Sequence, residues 1–353
     1  MNFAFFIRHF TERGTEVSVY NYAKYNEEIL NNKSYIICFT EKAQQYNGFP
    51  NERVSYDKFN SRFPVIEIDN IDEMEQVIEK YNLSFFYTQT HGGPDIYKFD
   101  NKKIWNQCKT IKHCVFNTTY KEGDFYLSIS NMLNKKLNTD LPVLPLIVDL
   151  PDCDETLASH SSTSEFNVLA PSATPLRLPN LRNELKIPLN AIVFGRYGGK
   201  DEFNIKITHQ AIIEYLNMNN NNYFLFMNTN VFYEHPRIIY LDKNIDCEYK
   251  VKFINTCDVM IHARQMGETF GLSIGEFSKK YKPIITCPCG DLEHIHILGE
   301  KAILYNSKEE LLYVFNNINT IIYSRNYTDW KCYDSYSPEY VMNLFMLLIS
   351  NNK

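Results

Sequence analysis

Strand-like and helix-like segments alternate along most of this chain, and that alternation leaves few folds open. Parallel strands covered on both faces read as continuous apolar runs, and Phe3 to Ile7 is such a run. A polar loop, His9 to Thr15, and a helical stretch, Glu16 to Leu30, follow it. Tyr35 to Phe39 and Val65 to Ile68 read as the next strands. Asn70 and Glu73 have the spacing of a helix cap, and Met74, Val77, Ile78 and Tyr81 then form one buried helical stripe. Leu83 to Thr88, His113 to Phe116, Phe125 to Ile129 and Val143 to Val148 complete the first expected sheet, with Ser130 capping a short helix.

The pattern then breaks and resumes. Leu157 to Pro179 holds no Lys, Tyr or Ile and is crowded with Ser, Thr, Ala and Pro, the composition of a flexible linker or an insert. Beyond it come a strand at Ala191 to Phe194, a helix carrying Ile207, Ala211, Ile212, Tyr215 and Leu216, and strands at Tyr223 to Met227 and Ile238 to Leu241. Lys250 to Cys257 reads as a helix and Asp258 to Ala263 as a buried strand. Ser307 and Glu310 cap a later helix, and Pro338 sits where the first turn of a final helix tolerates it. A chain of 353 residues exceeds one ordinary core and suits two. The expected division is a first α/β domain over 1–150, a linker over 151–186, a second α/β domain over 187–330 and a terminal segment over 331–353.

Composition excludes some partners. A net charge of −6 with no concentration of Lys and Arg argues against nucleic acid. The nine cysteines are scattered and odd in number, as free thiols in a reducing compartment would be. The apolar run at Phe3 to Ile7 ends at Arg8 and is too short for a signal-peptide core, and Val341 to Ile349 is about half a membrane span. A soluble cytoplasmic protein with no transmembrane span is expected.

The densest chemistry lies between Asp258 and Glu276. Glu268 falls in the loop after a strand, and Glu276 about a turn into the helix that opens near Gly271. Phe270, Gly271 and Leu272 would offer unpaired backbone N–H groups there, and such an end attracts phosphate. Gly271 lets a ligand approach the backbone. Donors for a phosphate beside two acceptors for hydroxyls suit a nucleotide-sugar. A capped helix with acids near its positive end would read the same way.

Glu268-Thr-Phe-Gly-Leu-Ser-Ile-Gly-Glu276 resembles the E-x7-E signature of retaining glycosyltransferases with the GT-B fold, family 4 and its relatives above all, with Thr269 in place of the usual first glycine. The resemblance implies two Rossmann-like parallel-sheet domains facing each other across a cleft. It also implies a last helix that crosses back to the first domain, for which Val341, Leu344, Phe345 and Leu348 would be the packing side. Gly195-Arg196-Tyr-Gly-Gly-Lys200 resembles the family's G-R-x-x-x-x-K loop, which neutralises the donor diphosphate, although Lys200 follows four after Arg196 where the family has five. Arg13-Gly14-Thr15-Glu16 matches the first-domain loop that faces the diphosphate, though an ordinary strand-to-helix turn reads alike.

The family's sugar-touching histidine is absent from Lys121 to Asp124, and His91, followed by Gly92 and Gly93, is taken in its place. Asn228 and Leu241 mark the loops that hold the base in the family, and Arg264 and Thr269 flank the donor. His262-Ala-Arg264 together with Phe194 to Gly199 and Arg13 to Glu16 suggests a separate branch. The implied activity is transfer, with retention, of a sugar from a nucleotide-diphosphate sugar to a glycan, lipid or protein acceptor. Glu276 would accept from the ribose, and Glu268 from the sugar. No cofactor or metal is implied, and Cys287, Cys289, His294 and His296 lack a common zinc spacing. Two rival readings are a nucleotide-sugar epimerase on the same fold and a catalytically silent module that binds glycans or a protein partner.

Overall fold

A computed structural model describes residues 1–11, 13–44, 51–151, 178–218 and 221–350. Of the compositional break at 157–179, all but the last two positions lie outside the described residues. The first lobe carries six parallel strands: β1 Asn2–Ile7, β2 Lys33–Phe39, β3 Val65–Ile68, β4 Phe85–Thr90, β5 Lys109–Cys114 and β6 Phe125–Ser128. They lie side by side in the order β3-β2-β1-β4-β5-β6. The second lobe repeats the plan with β7 Val193–Tyr197, β8 Tyr223–Met227, β9 Ile238–Leu241, β10 Val259–His262, β12 Ile284–Thr286 and β14 Ile303–Leu304. Their order is β14-β12-β10-β7-β8-β9, and a two-residue ladder joins β11 Gly267–Glu268 to β13 Asp291–Leu292.

Both sheets are doubly wound, so ligands belong where the winding reverses, beyond the carboxyl ends of the strands. In the first sheet that point lies between β1 and β4, and in the second between β7 and β10. Side chains of β1 alternate between two cores: Phe3, Phe5 and Ile7 face the Gly14–Glu28 helix, while Ala4 and Phe6 face Met74 and Trp105. The terminal helix, Pro338–Ser350, returns to the first lobe, where Phe345 packs 6.0 Å from the Phe3 ring and 5.8 Å from the Tyr22 ring. Its buried stripe is Val341, Met342, Phe345 and Ile349, with Leu344 and Leu348 on the flank, a rotation from the expected side. A further core spans both lobes: Val115, Ile129 and Leu133 of the first pack with Phe270, Ile274 and Leu298 of the second.

Three expectations need correction. Val143 to Val148 is not a strand; a single bridge, Ser128 to Val143, is formed, because Pro142 and Pro145 lack the N–H a ladder needs. The strand expected at His113 to Phe116 runs earlier, from Lys109, because Lys112 is fully buried with Glu122 at 2.9 Å and Asp95 at 3.3 Å. Gly195, Arg196 and Tyr197 belong to β7 and not to a loop. Short helices at Glu41–Gln44, Arg53–Asn60 and Lys102–Trp105 were not anticipated.

The cap before the Met74–Tyr81 helix is formed as expected: Asn70 Oδ1 accepts from the Asp72 amide at 3.0 Å, and the Glu73 carboxylate accepts from the Asn70 amide at 3.2 Å. Asn70→Ala should cost about 1 kcal/mol in urea unfolding, the usual worth of such a cap. An unchanged midpoint would show that solvent replaces it.

Candidate functional site

At the reversal point of the second sheet, β10 ends in His262 and the chain turns through Arg264 into β11. Gly267 sits at φ +63°, and a Cβ there would lie 2.1 Å from the Asp291 carbonyl oxygen and 2.3 Å from that of Cys289. Only glycine fits this backbone-on-backbone approach. It sets Glu268 in register with Leu292 of β13. The Glu268 carboxylate is then gripped on both oxygens: Arg264 Nη1 donates to Oε2 at 2.8 Å, and His262 Nε2 lies 3.3 Å from Oε1. Burial works to raise this carboxyl, but His262 first and then Arg264 outweigh it and hold it below the usual carboxylate range. A carboxylate has about four acceptor positions, so a second position on each oxygen is left for a ligand.

Arg264 also ties this loop to its neighbour. Its Nη2 pairs with Glu202 at 2.9 Å, and the other oxygen of Glu202 accepts from the Gly199 amide at 3.1 Å. Arg196 organises the same turn from below. Its guanidinium donates to the Gly199 carbonyl at 2.7 Å, the Asn228 carbonyl at 3.1 Å and Thr229 Oγ1 at 2.6 Å. Burial drives the guanidinium down to about 10. Asn228, in the left-handed region at φ 51°, donates from its side chain to the Gly198 carbonyl at 2.8 Å and from its amide to Leu241 at 3.0 Å. Lys200 is exposed at the tip of this turn.

Gly271 caps the Leu272–Lys279 helix at φ 84° and supplies no side-chain acceptor to its first turn. Thr269 and Phe270 are buried behind it, and Leu272 is half-buried. The Phe270 carbonyl accepts from Tyr333 at 2.9 Å, so the crossing segment props the loop from the back. On the same helix Glu276 is buried and accepts from the Tyr197 hydroxyl and from Lys250 Nζ at 2.9 Å. Burial, with the Asp149 carboxylate adding to it, pushes the Glu276 carboxyl up, against the smaller pull of the Lys58 and Lys279 charges.

In the first lobe His91 follows β4, is exposed, and lies with its ring 5.5 Å from that of Phe116. Lys112 Nζ pins the adjoining Gly93 carbonyl at 2.8 Å. Gly14 opens the first helix with open space around its Cβ position, so the chain's own packing does not demand a glycine there. Two residues further in, burial pushes the Glu16 carboxyl up to about 7. The lobes meet through Lys243 and Glu52 at 2.7 Å, Lys136 and Asp291 at 2.7 Å, and the Met132 amide donating to Glu293 at 3.2 Å.

The structure thus brings Arg196, Asn228, Arg264 and Glu268 into one connected loop system, with Glu276 in the following helix held by Tyr197 and Lys250. His262, Glu202, Tyr197 and Lys250 were not anticipated as site residues, since each also takes a partner distant in sequence: Thr286, Arg264 and, for the last two, Glu276. Cys287 and Cys289 are free thiols, and among the described residues no three His, Cys, Asp or Glu side chains converge as metal ligands. Among the same residues no helix is long and apolar enough to cross a membrane.

No family model matches the chain, and no curated protein matches it. Solved structures do. A glycosyltransferase from Rickettsia africae aligns over 99% of this chain and 96% of its own, with 16% identity and a TM-score of 0.63. The Anabaena protein HepE (Alr3699), solved with UDP-glucose, aligns over 99% and 98% with 13% identity and a TM-score of 0.69. A UDP-GlcNAc 2-epimerase from Neisseria meningitidis, bound to UDP-GlcNAc, aligns over 99% and 100% with 8% identity and a TM-score of 0.58. The fold is the two-lobed GT-B arrangement of these proteins.

Proposed function

We propose that the chain is a retaining glycosyltransferase of the cytoplasm, related to family 4, that moves a hexose from a nucleotide-diphosphate sugar to a glycan, lipid or protein acceptor. The observation that carries this reading is the Glu268 carboxylate, gripped by His262 and Arg264 just ahead of an uncapped helix N-terminus at the reversal point of the second sheet. That pairing of amide donors with an aimed, charged acceptor suits a diphosphate joined to a sugar. The diphosphate would lie between the Gly198 to Lys200 turn and the amides of Phe270, Gly271 and Leu272. Lys200 would meet its charge from the exposed tip, while Arg196, already committed to three acceptors, would shape the turn and add its field. Glu276, with Tyr197 and Lys250 beside it, would receive the ribose, and Asn228 would border the base. Gly14 and His91 would face the donor from the first lobe. The leaving phosphate oxygen would take the acceptor's proton, so neither a side-chain nucleophile nor a metal enters this reading. HepE and the epimerase hold uridine nucleotide sugars, which makes UDP-glucose the first donor to try.

Calorimetry with UDP and UDP-glucose on two variants tests the assignment. Glu276→Ala should weaken both ligands, each lost charged hydrogen bond being worth about 1.5–3 kcal/mol. Glu268→Ala should weaken UDP-glucose and leave UDP nearly unchanged. Equal losses for both ligands in Glu268→Ala would remove Glu268 from the sugar. One observation favours a second reading: Glu16, with a carboxyl near neutrality in the first lobe, is the kind of acid–base group an epimerase needs. Conversion of a UDP-sugar to its epimer without any acceptor would establish that reading instead.

A further inference from the structure

Behind Glu268 a file of polar side chains runs into the core. His262 Nε2 lies 3.3 Å from Glu268 Oε1, and His262 Nδ1 lies 2.9 Å from Thr286 Oγ1. Thr286 Oγ1 in turn lies 3.0 Å from His294 Nε2. His262, Thr286 and His294 are buried, and the two imidazole rings stand 4.9 Å apart. His294 Nδ1 is buried with no hydrogen-bond partner among the described residues.

Proton counting gives this file a direction. The Glu268 carboxylate can only accept, so His262 must carry a proton on Nε2. In neutral His262 the other nitrogen accepts, which obliges Thr286 to donate its hydroxyl proton to Nδ1. The Thr286 oxygen then accepts from His294, whose single proton belongs on Nε2. Burial keeps His294 neutral, its value driven down to about 3. The direction is set by Thr286, whose one proton is already committed to His262 Nδ1.

We propose that His294, Thr286 and His262 form a one-way donor chain that fixes the His262 tautomer and so holds Glu268 aimed and charged; His262, Thr286 and His294 are positioning residues. The proposal deepens the functional reading above and rests on it for the statement that Glu268 receives the donor sugar. Its structural half stands apart from that reading. The threonine is the decisive link. It donates and accepts through a single oxygen between the two rings, and valine has its shape without its hydroxyl. Thr286 leaves β12 beside β10, at the register position facing His262, so the chain is built across the sheet and does not depend on the outer loop.

The first measurement is the histidine tautomer, read by long-range 15N–1H correlation on the ligand-free full chain. Both His262 and His294 should be protonated on Nε2 near neutral pH. The Glu268 carboxylate's charge, and after it the Glu268 backbone, favour a proton on His294. A His294 tautomer protonated on Nδ1 would reverse the chain and overturn the proposal. The second compares Thr286→Val with Thr286→Ser, using UDP and UDP-glucose as probes. Thr286→Val should weaken UDP-glucose, or slow its hydrolysis, by about tenfold, leave UDP within about twofold, and release the His262 tautomer. Thr286→Ser should restore all three readouts. A loss shared equally by UDP and UDP-glucose, or no rescue by serine, would overturn the positioning role. Wild-type protein with the predicted tautomers but no preference for UDP-glucose over UDP would keep the chain and dismiss the sugar contact.

Discussion

Arg196→Ala should lower donor turnover by about a hundred- to a thousandfold, the usual scale for one oriented electrostatic group. The contacts of the guanidinium explain how so buried a group reaches the reaction. It holds Gly199 on one side and Asn228 with Thr229 on the other, so two loops of the second lobe take their shape from a single planar fork. Alanine would remove the charge and leave three acceptors without their donor, at about 1–3 kcal/mol for each that stays dry. Arg196→Lys should recover only part of the activity, since one ammonium cannot span both loops with a fork's geometry. Hydrolysis of UDP-glucose, followed beside urea unfolding, separates the two losses. Full activity in Arg196→Ala would move the phosphate site elsewhere.

Gly267→Ala should be nearly as damaging, and for a reason of shape alone. A residue with a Cβ pays about 1–2 kcal/mol for the left-handed backbone. The new methyl would also stand 2.1 Å from one backbone oxygen and 2.3 Å from another, so the chain must part there. Parting breaks the ladder that pairs Gly267 with Asp291 and Glu268 with Leu292, at about 0.5–1.5 kcal/mol for each hydrogen bond lost. The total is about 2–5 kcal/mol in unfolding, with UDP-glucose binding lost before UDP binding. A variant that unfolds like wild type and binds both ligands would show that the loop has an alternative path.

Much of this was legible in the residues, and the failures have physical causes. Continuous apolar runs such as Phe3 to Ile7 and Tyr223 to Met227 marked central strands, because both faces of a parallel sheet are covered. The helix opening at Gly271 was legible because φ 84° is a glycine's conformation. Gly195 misled in the opposite way. It read as a loop glycine, yet a Cβ there would meet Cys257 Sγ at 2.1 Å, so it serves the close packing of a helix on β7. Lys112 hid a strand, because a fully buried lysine looks exposed until Asp95 and Glu122 arrive from other loops. The grip on Glu268 was half visible: Arg264 is four residues away, but the tautomer of His262 depends on Thr286 and His294, which only the folded sheet brings near.

The terminal helix sets an order on synthesis. The aromatic face made by Phe3, Phe5, Tyr22 and Tyr87 leaves a ribosome well before Val341, Met342, Phe345 and Ile349, which cover it. That face stays wet while the residues between them, the second lobe's sheet included, are translated, in a window when exposed apolar surface invites aggregation. The first lobe is therefore begun before the second and completed after it, and the two lobes reach maturity together and not as two beads made in succession.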